Sequence, residues 1–325
     1  MPTSSTSTTV PGANRQYTLG DWDNRSAVRS KKTSYLLPPV AEVQQQLHSK
    51  DWFPPSFIHY FKHPVIRQSS QQTRHRLAAN HLVYFLNYTT ILEHKIVNRS
   101  VETLIHDELG IELPHAMKIA ALQLYTDEGY HALFSFKLAE QVARFYDMPV
   151  WDAPPKRIRL LLDLLGTCTD EYRPLMWFFV GFVSETIIAK ELLDLTGNTL
   201  VCTVYQMFRE HLEDEARHSR YFSEVFQYLW PRLSPELQQD SARHLIDIIF
   251  VFSEVDEQWL GASLASAGIC ALEATDIIQQ LQAPGARAQR ARSSAAATLQ
   301  AMKRAGFFEQ DAHRTLFSQS GLIDA

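Results

Sequence analysis

Proline and glycine fall in short clusters in this chain and leave long uninterrupted segments between them. Beyond residue 35 the clusters lie at 52–55, 112–114, 153–155, 196–198, 231–235 and 283–285. Four intervening segments, at roughly 73–97, 114–146, 171–195 and 199–229, are about 25 to 33 residues long. Segments of this length are typical of helices rather than strands.

The chain is predicted to be all-α. Apolar residues recur at helical intervals in the first two long segments, and further helical stretches near 235–259, 272–281 and 286–305 would pack around the four. The apolar run at 246–252 could form a strand, but a single strand does not make a sheet. We therefore predict a four-helix bundle core with additional packing helices.

Composition predicts a single domain preceded by a polar N-terminal tail. With 325 residues, of which 45% are hydrophobic, the chain can bury a sizeable core. Residues 1–30 are rich in Ser and Thr and carry few apolar anchors, so we predict a disordered tail there and a single domain over 31–325.

Charge and patterning exclude several partners. A net charge of −5 offers no broad cationic field for nucleic acid. The most apolar run, 175–183, is far shorter than the ~20 residues needed to cross a bilayer, so we expect no membrane association. Three isolated cysteines and a start without a secretory signal predict a cytoplasmic protein.

The motif Asp-Glu-x-x-His occurs twice in the predicted core. It stands at Asp127-Glu128-Gly129-Tyr130-His131 in the second segment and at Asp214-Glu215-Ala216-Arg217-His218 in the fourth. Residues three apart on a helix share a face, so each motif presents a carboxylate and an imidazole together. Each motif is therefore half of a predicted metal site.

A glutamate precedes each motif on the preceding helix. Glu93 stands 35 residues before Glu128 and Glu185 stands 30 before Glu215, so each can fold back beside its motif. Four carboxylates and two imidazoles from four helices are the ligands of carboxylate-bridged di-iron and di-manganese bundles. The carboxylates cancel the charge of two divalent ions, and the imidazoles favour iron or manganese over calcium or magnesium.

Three further residues extend this set. His211 shares a helix face with Glu215 and His218, because the positions are i, i+4 and i+7, and it is a candidate third imidazole. Asp127 and Asp214 each precede a candidate ligand. We hypothesise that they accept hydrogen bonds from the outer nitrogens of the histidines and fix their tautomers.

Simpler interpretations apply to parts of the pattern. Glu112-Leu113-Pro114-His115 also reads Glu-x-x-His, but Pro114 belongs at a helix start, so we interpret it as a coincidence in a loop. Glu93 could lie on a solvated helix face. Glu185, by contrast, is flanked by apolar residues, and a buried carboxylate needs a partner, of which a metal is the simplest.

The whole ligand pattern resembles that of the p-aminobenzoate N-oxygenase family, ferritin-like non-haem di-iron enzymes of natural-product biosynthesis. The matching residues are Glu93, Glu128, His131, Glu185, His211, Glu215 and His218. His211 is the discriminating one, since that family has seven protein ligands where other ferritin-like oxygenases and desaturases have six. The resemblance covers residues 75–230 by motif and implies that all seven side chains ligate two iron ions in a ferritin-like bundle, with O2 as co-substrate.

The resemblance also implies an activity. Members oxidise a primary amine, either an aryl amine or an amino-acid-derived amine that is carrier-bound in some cases, to a hydroxylamine, nitroso or nitro product. An external electron donor and a homodimer are implied as well. No pocket motif can be matched. Arg173, Arg292 and Arg304 are candidate carboxylate anchors, with surface cations as the other interpretation.

Two other functions remain open at this point. Paired motifs of the same kind occur in acyl-carrier-protein desaturases, so an acyl desaturase or C–H hydroxylase is an alternative enzyme. A ferroxidase or iron-binding protein is an alternative of another class.

Overall fold

The computed structural model describes residues 17–30, 34–149, 151, 153–196 and 199–324. Within these ranges the chain is helical and forms no β-strand, which confirms the predicted all-α fold. The α-helices are α1 (Trp22–Arg25), α2 (Ala27–Ser30), α3 (Val40–Gln46), α4 (Pro64–Gln68), α5 (Gln71–Ile91), α6 (Asn98–Ile105), α7 (His115–Phe145), α8 (Lys156–Thr167), α9 (Arg173–Leu195), α10 (Cys202–Leu229), α11 (Pro235–Phe252), α12 (Glu257–Ser266), α13 (Ala271–Gln282), α14 (Pro284–Ser294), α15 (Ala296–Arg304) and α16 (Asp311–Gln319). Short 3₁₀ turns span His59–Lys62, Trp230–Arg232 and Phe307–Glu309.

Four long helical segments form the core, as predicted. They are α5 with its continuation into α6, then α7, α9 and α10. α5 packs along α7, and α9 packs along α10. Only residues 196–201 separate α9 from α10, so these two helices are antiparallel neighbours.

Local signals in the sequence explain where the core helices begin. The side chain of Ser70 caps α5 by accepting a hydrogen bond from the backbone N–H of Thr73 at 3.0 Å. Pro114 directly precedes α7, which leaves Glu112 in the preceding loop. The Glu-x-x-His match at 112–115 is therefore not on one helix, in agreement with the interpretation above.

The apolar run in α9 is buried except at Trp177, which is partly buried. Phe178, Phe179 and Phe182 contact aromatic residues of α10, with the rings of Phe182 and Phe226 stacked 4.5 Å apart. Stacked and offset phenyl rings contribute beyond their buried area. The segment 246–252, which could have been a strand, lies in helix α11.

The predicted tail is wrong for residues 17–30. Leu19 is 2% exposed and Ala27 is 1% exposed, α2 packs against α7 and α10, and Trp22 of α1 packs against the apolar core. Composition misled here because a few buried positions and side-chain hydrogen bonds, rather than an apolar stripe, anchor this segment. Residues 1–16 lie outside the described ranges. The start of the domain thus precedes residue 31, and a single domain over the remaining chain stays a prediction.

No helix in the described ranges is both long and apolar enough to cross a membrane.

Gly181 marks the closest approach of α9 to α6. A Cβ at this position would lie 2.1 Å from Oγ and 2.6 Å from Cβ of Ser100. We expect Gly181→Ala to lower the free energy of unfolding by about 1–3 kcal/mol, because the helices must separate to accept the methyl group. Urea unfolding followed by circular dichroism measures this.

Gly166→Ala in α8 is the matched control, since a Cβ there meets nothing within 4 Å. It is expected to keep or raise stability by about 0.5–1 kcal/mol. Equal stability of the Gly181 variant and the wild type would contradict this view of the helix contact.

Candidate metal centre

The structure brings all seven predicted ligand residues together inside the four-helix core. Each of them is at most 1% exposed. They are Glu93, which follows α5, Glu128 and His131 on α7, Glu185 on α9, and His211, Glu215 and His218 on α10. Neither Glu93 nor Glu185 lies on the surface, so the solvated-face interpretation of Glu93 is wrong.

Six of the seven form two overlapping groups of ligand atoms. One group is Glu93, His131, His211 and Glu215, and the other is Glu128, His131, Glu215 and His218. Within each group one ligand atom per residue lies within 4.8 Å of all the others. The groups share His131 and Glu215 and are therefore directly adjacent.

Glu185 lies at the edge of the second group. Its Oε2 is 3.6 Å from Nδ1 of His218, and it falls outside both compact groups. Its two oxygens have no hydrogen-bond partner although the side chain is buried. Such a carboxylate is unstable as an anion unless a cation lies next to it.

Several buried polar atoms in this cluster lack hydrogen bonds. These atoms are both oxygens of Glu93, Glu128 and Glu185, one oxygen of Glu215, Nδ1 of His131 and Nε2 of His211. Many are close to one another without hydrogen-bond geometry: Nε2 of His211 is 2.9 Å from Oε1 of Glu93. Oxygen and nitrogen atoms that point at one another without forming hydrogen bonds can all bind the same cation. This set of donor atoms therefore suits one or two metal ions.

Burial and mutual repulsion perturb the glutamates. Burial raises the pKa of Glu93 to about 7, against the lowering effect of His211. The pKa of Glu185 is raised well above its usual range by burial and by the nearby Glu215 and Glu128. These groups resist ionisation in the protein alone, and bound cations would remove that cost.

The imidazoles show the complementary effect. Burial alone would lower the pKa of His131 and of His218, yet the surrounding carboxylates raise both well above the usual value. Burial would likewise raise the pKa of Glu215, but the three imidazoles hold it well below its usual range. In the absence of metal, protons thus supply the positive charge that the carboxylates require.

A π-helical turn at Leu92–Val97 positions Glu93. It joins α5 to α6 and buries Glu93 while His94 and Lys95 face solvent. A π turn inserts one residue into the helix and is frequent at functional sites. No local pattern in the sequence predicts this turn.

Asp127 and Asp214 lie where the tautomer hypothesis requires, but in a crossed arrangement. Oδ2 of Asp214 is 3.0 Å from Nε2 of His131, and Oδ2 of Asp127 is 3.1 Å from Nε2 of His218. Each motif thus supplies the aspartate for the histidine of the other motif. With Nε2 held outside, Nδ1 of both histidines faces the glutamates.

The N-terminal helices hold these aspartates in place, which the sequence analysis missed. Asp127 accepts hydrogen bonds from Oγ of Ser26 at 2.5 Å and from Nε1 of Trp22 at 2.8 Å. Asp214 accepts one from the backbone N–H of Ala27 at 3.1 Å and pairs with Arg217. We call Trp22, Ser26 and Ala27 the N-terminal clamp.

A pocket of about 190 Å³ adjoins the helices that carry Glu93 and Glu185. Its lining includes Tyr84, Tyr88, Arg157, Glu191, Trp259 and Arg290. Tyr88 precedes Glu93 by five residues, and Glu191 follows Glu185 by six. The pocket therefore begins about one and a half helical turns from two of the candidate ligands.

Two guanidinium groups in this pocket have no salt bridge to a carboxylate of the described chain, although Glu191 attracts Arg157 and Glu254 attracts Arg290 at longer range. Arg157 donates to the backbone carbonyl of Glu254 and lies 5.6 Å from the ring of Tyr88. Arg290 donates to backbone carbonyls only, and burial together with Arg157 lowers its pKa. Sequence reasoning missed both arginines because no pattern marks them.

The three arginines that the sequence suggested as anchors lie elsewhere. Arg173 pairs with Asp170 and Arg292 with Asp324, and Arg304 is exposed. None of the three lines the pocket.

Buried glutamates and histidines from four core helices define the class of ferritin-like carboxylate–histidine metal proteins. The family model described as P-aminobenzoate N-oxygenase AurF matches residues 21–306. The chain belongs to this family, which confirms the resemblance and the ferritin-like fold and makes the protein an oxygenase. No curated protein matches the chain significantly.

The N-terminal clamp gives a testable expectation. Ser26→Ala removes one hydrogen bond from buried Asp127, which orients His218. Loss of such an outer partner weakens metal binding by about 10- to 100-fold. Titration of the metal-free protein with Co²⁺, followed by visible absorption, measures the affinity.

Ser30→Ala is the matched control, because that hydroxyl is exposed and bonds only to backbone carbonyls. It should bind Co²⁺ like the wild type. Unchanged affinity in the Ser26 variant would remove the clamp from any role at the centre.

Proposed function

We propose that the protein is a di-iron N-oxygenase that uses O2 to oxidise a primary amine. The observation that carries this proposal is the convergence of seven buried side chains, with unsatisfied oxygens and nitrogens, in a member of the P-aminobenzoate N-oxygenase AurF family. Glu93, Glu128, Glu185 and Glu215 would hold the irons with the three histidines.

Charge and ligand type support two iron ions. Four glutamates carry four negative charges, which two ferrous ions balance. Three imidazoles disfavour the hard ions calcium and magnesium, which prefer oxygen ligands only. When bound, the iron pair supplies the activation of O2.

The surrounding residues orient the ligands and exclude water. Asp214 and Asp127 fix the histidine rings as described. The ring of Phe134 lies 5.3 Å from the ring of His131 and 5.4 Å from that of His211, so an apolar side chain covers these two imidazoles. Such an environment protects reactive oxygen chemistry from side reactions with water.

Electron balance supports an external donor. Forming one N–O bond from O2 leaves the second oxygen atom to be reduced to water. Each conversion of an amine to a hydroxylamine therefore consumes two electrons and two protons. We propose that a separate reductase or small reductant supplies the electrons.

We further propose that the amine occupies the pocket next to Tyr88. The aromatic side chains that line it suit an aromatic substrate. Arg157 and Arg290 suit an anionic group at the end of the substrate opposite its amine. p-Aminobenzoate, the compound in the family description, has both features. A neutral aryl amine or an amine without an anionic group would fit this pocket less well.

Reconstitution tests the proposed function. Protein loaded anaerobically with ferrous ion should bind about two irons per chain. After reduction it is exposed to O2 together with a panel of aryl and aliphatic amines. Mass spectrometry should then detect oxygen added at nitrogen. Glu185→Gln should lose iron and activity while keeping its helical content. Oxygen added only at carbon would favour the hydroxylase, and iron oxidation without any product would favour the ferroxidase.

The control for this experiment is Glu112→Gln in the coincidental motif, whose side chain is exposed. It should retain both irons and full turnover. Retained turnover in the Glu185 variant would remove that residue from the ligand set.

The pocket proposal has its own test. Arg157→Gln should raise the KM for p-aminobenzoate by about 10- to 100-fold, because a charged hydrogen bond contributes about 1.5–3 kcal/mol. Iron content and the KM for aniline, which has no carboxylate, should stay the same. Arg159→Gln, an exposed neighbour on α8, serves as control, and equal effects of the two variants would contradict the assignment.

A further inference from the structure

The seven candidate ligands lie too deep in the protein for a reductant to touch them. Each of them is at most 1% exposed. The proposed oxidation of an amine nevertheless consumes electrons that a separate donor supplies. Those electrons must therefore cross the protein between its surface and the buried side chains.

A short chain of hydrogen bonds joins His218 to a tryptophan at the protein surface. The indole Nε1–H of Trp22 donates to Oδ2 of Asp127 at 2.8 Å, and the same oxygen lies 3.1 Å from Nε2 of His218. One carboxylate oxygen thus bridges the indole and the imidazole. Asp127 is buried, whereas Trp22 is partly exposed between the exposed Asp21 and Asp23. We call Trp22, Asp127 and His218 the tryptophan path.

The corresponding chain on the other side of the centre ends differently. Oδ2 of Asp214 lies 3.0 Å from Nε2 of His131. Its further partners are the backbone N–H of Ala27 and the guanidinium of Arg217. Neither an amide nor a guanidinium gives up an electron under biological conditions, whereas an indole ring can. Of the two aspartates, only Asp127 connects its histidine to a side chain that can be oxidised.

A set of aromatic rings also leads away from the centre, but without hydrogen bonds. Phe134 lies beside His131, and its ring is 5.1 Å from the ring of Tyr35 and 5.4 Å from that of Tyr130. A phenyl ring is much harder to oxidise than an indole or a phenol, and Tyr35 is only 2% exposed. An electron on this route would have to cross Phe134 through non-bonded contacts alone. The observations therefore favour the tryptophan path.

We propose that electrons enter the protein at Trp22 and reach the metal centre through Asp127 and His218. This inference rests on the proposed function, because it requires iron at the candidate ligands. In each passage the indole gives one electron to the centre, and a one-electron donor of the flavin or iron–sulfur class returns one electron to the ring. The donor is oxidised by one electron, the centre is reduced by one electron, and Trp22 is unchanged.

The carboxylate of Asp127 makes the indole easier to oxidise. A ring that has lost an electron is positively charged, and the carboxylate lies at hydrogen-bond distance from its nitrogen. The guanidinium of Arg29 acts in the opposite direction from 5.8 Å, but it lies 3.7 Å from the carboxylate of Asp23. The closer and buried negative charge therefore dominates, and the oxidised ring is stabilised.

Anaerobic reduction of the iron-loaded full chain tests this proposal without turnover. Ferric protein is mixed with reduced methyl viologen in the absence of O2 and amine, and the loss of visible absorption gives the rate at equal iron content. Trp22→His and Trp22→Phe should both be reduced much more slowly than the wild type, because neither ring is readily oxidised. Trp177→Phe is the matched control and should be reduced like the wild type, since Trp177 is also partly buried with an arginine 5.8 Å from its ring.

The two variants of Trp22 separate electron transfer from the positioning of Asp127. Imidazole and indole both carry an N–H on a five-membered ring, so Trp22→His keeps the hydrogen bond and should bind Co²⁺ like the wild type. Trp22→Phe has no donor and should bind Co²⁺ about 10- to 100-fold more weakly. Slow reduction of Trp22→His at unchanged Co²⁺ affinity is therefore the result that a purely structural role does not give.

The remaining outcomes would overturn the inference. Wild-type protein that binds no iron would overturn the proposed function and this inference with it. Iron-loaded Trp22→His that is reduced at the wild-type rate would overturn the inference alone. Slow reduction of Tyr130→Phe with a normal rate in Trp22→His would place the route at Phe134 instead. Loss of both rate and Co²⁺ affinity in Trp22→His would assign Trp22 a structural role.

Discussion

The fold requires that the charges of the buried glutamates and histidines at the centre of the bundle compensate one another. Four carboxylates and three imidazoles are removed from water there, and an unpaired buried charge costs several kcal/mol. Protons held by the imidazoles satisfy part of this demand, because the surrounding carboxylates raise the pKa of His218 well above its usual value. Bound metal ions would satisfy it more fully, because they would neutralise all the carboxylates at once.

The ligand set could be predicted from the sequence because it is periodic. Helical spacing places Glu128 and His131 on the same face of a helix. The number of long uninterrupted segments predicts the number of core helices. The four predicted segments coincide with α5, α7, α9 and α10 to within a few residues at most ends. Burial of Glu185 followed from its apolar neighbours alone. These conclusions need only local geometry, which a single sequence carries.

Features that depend on non-periodic contacts could not be predicted. The residues of the N-terminal clamp lie in and between two four-residue helices, which are too short for any hydrophobic period. The side chains of Trp22 and Ser26 donate hydrogen bonds to Asp127, and the backbone N–H of Ala27 donates one to Asp214. Composition therefore suggested a tail. Arg157 and Arg290 likewise meet in the pocket from helices more than 100 residues apart. The π turn at Leu92–Val97 packs against α7 and α9, which are distant in the sequence.

The crossed aspartates explain why the two motifs form one centre rather than two. Each histidine depends on the other motif for its orientation, so α7 and α10 must be in register before either imidazole is fixed. The surroundings of the two Asp-Glu-x-x-His motifs are not fully equivalent, however. His211, which lies beside Glu93, stands four residues before Glu215, and the corresponding position before Glu128 is the buried Leu124. One side of the centre therefore has an additional imidazole, so two bound ions would have different surroundings. An additional neutral imidazole at one of the two positions would give two bound ions unequal affinities for an incoming ligand.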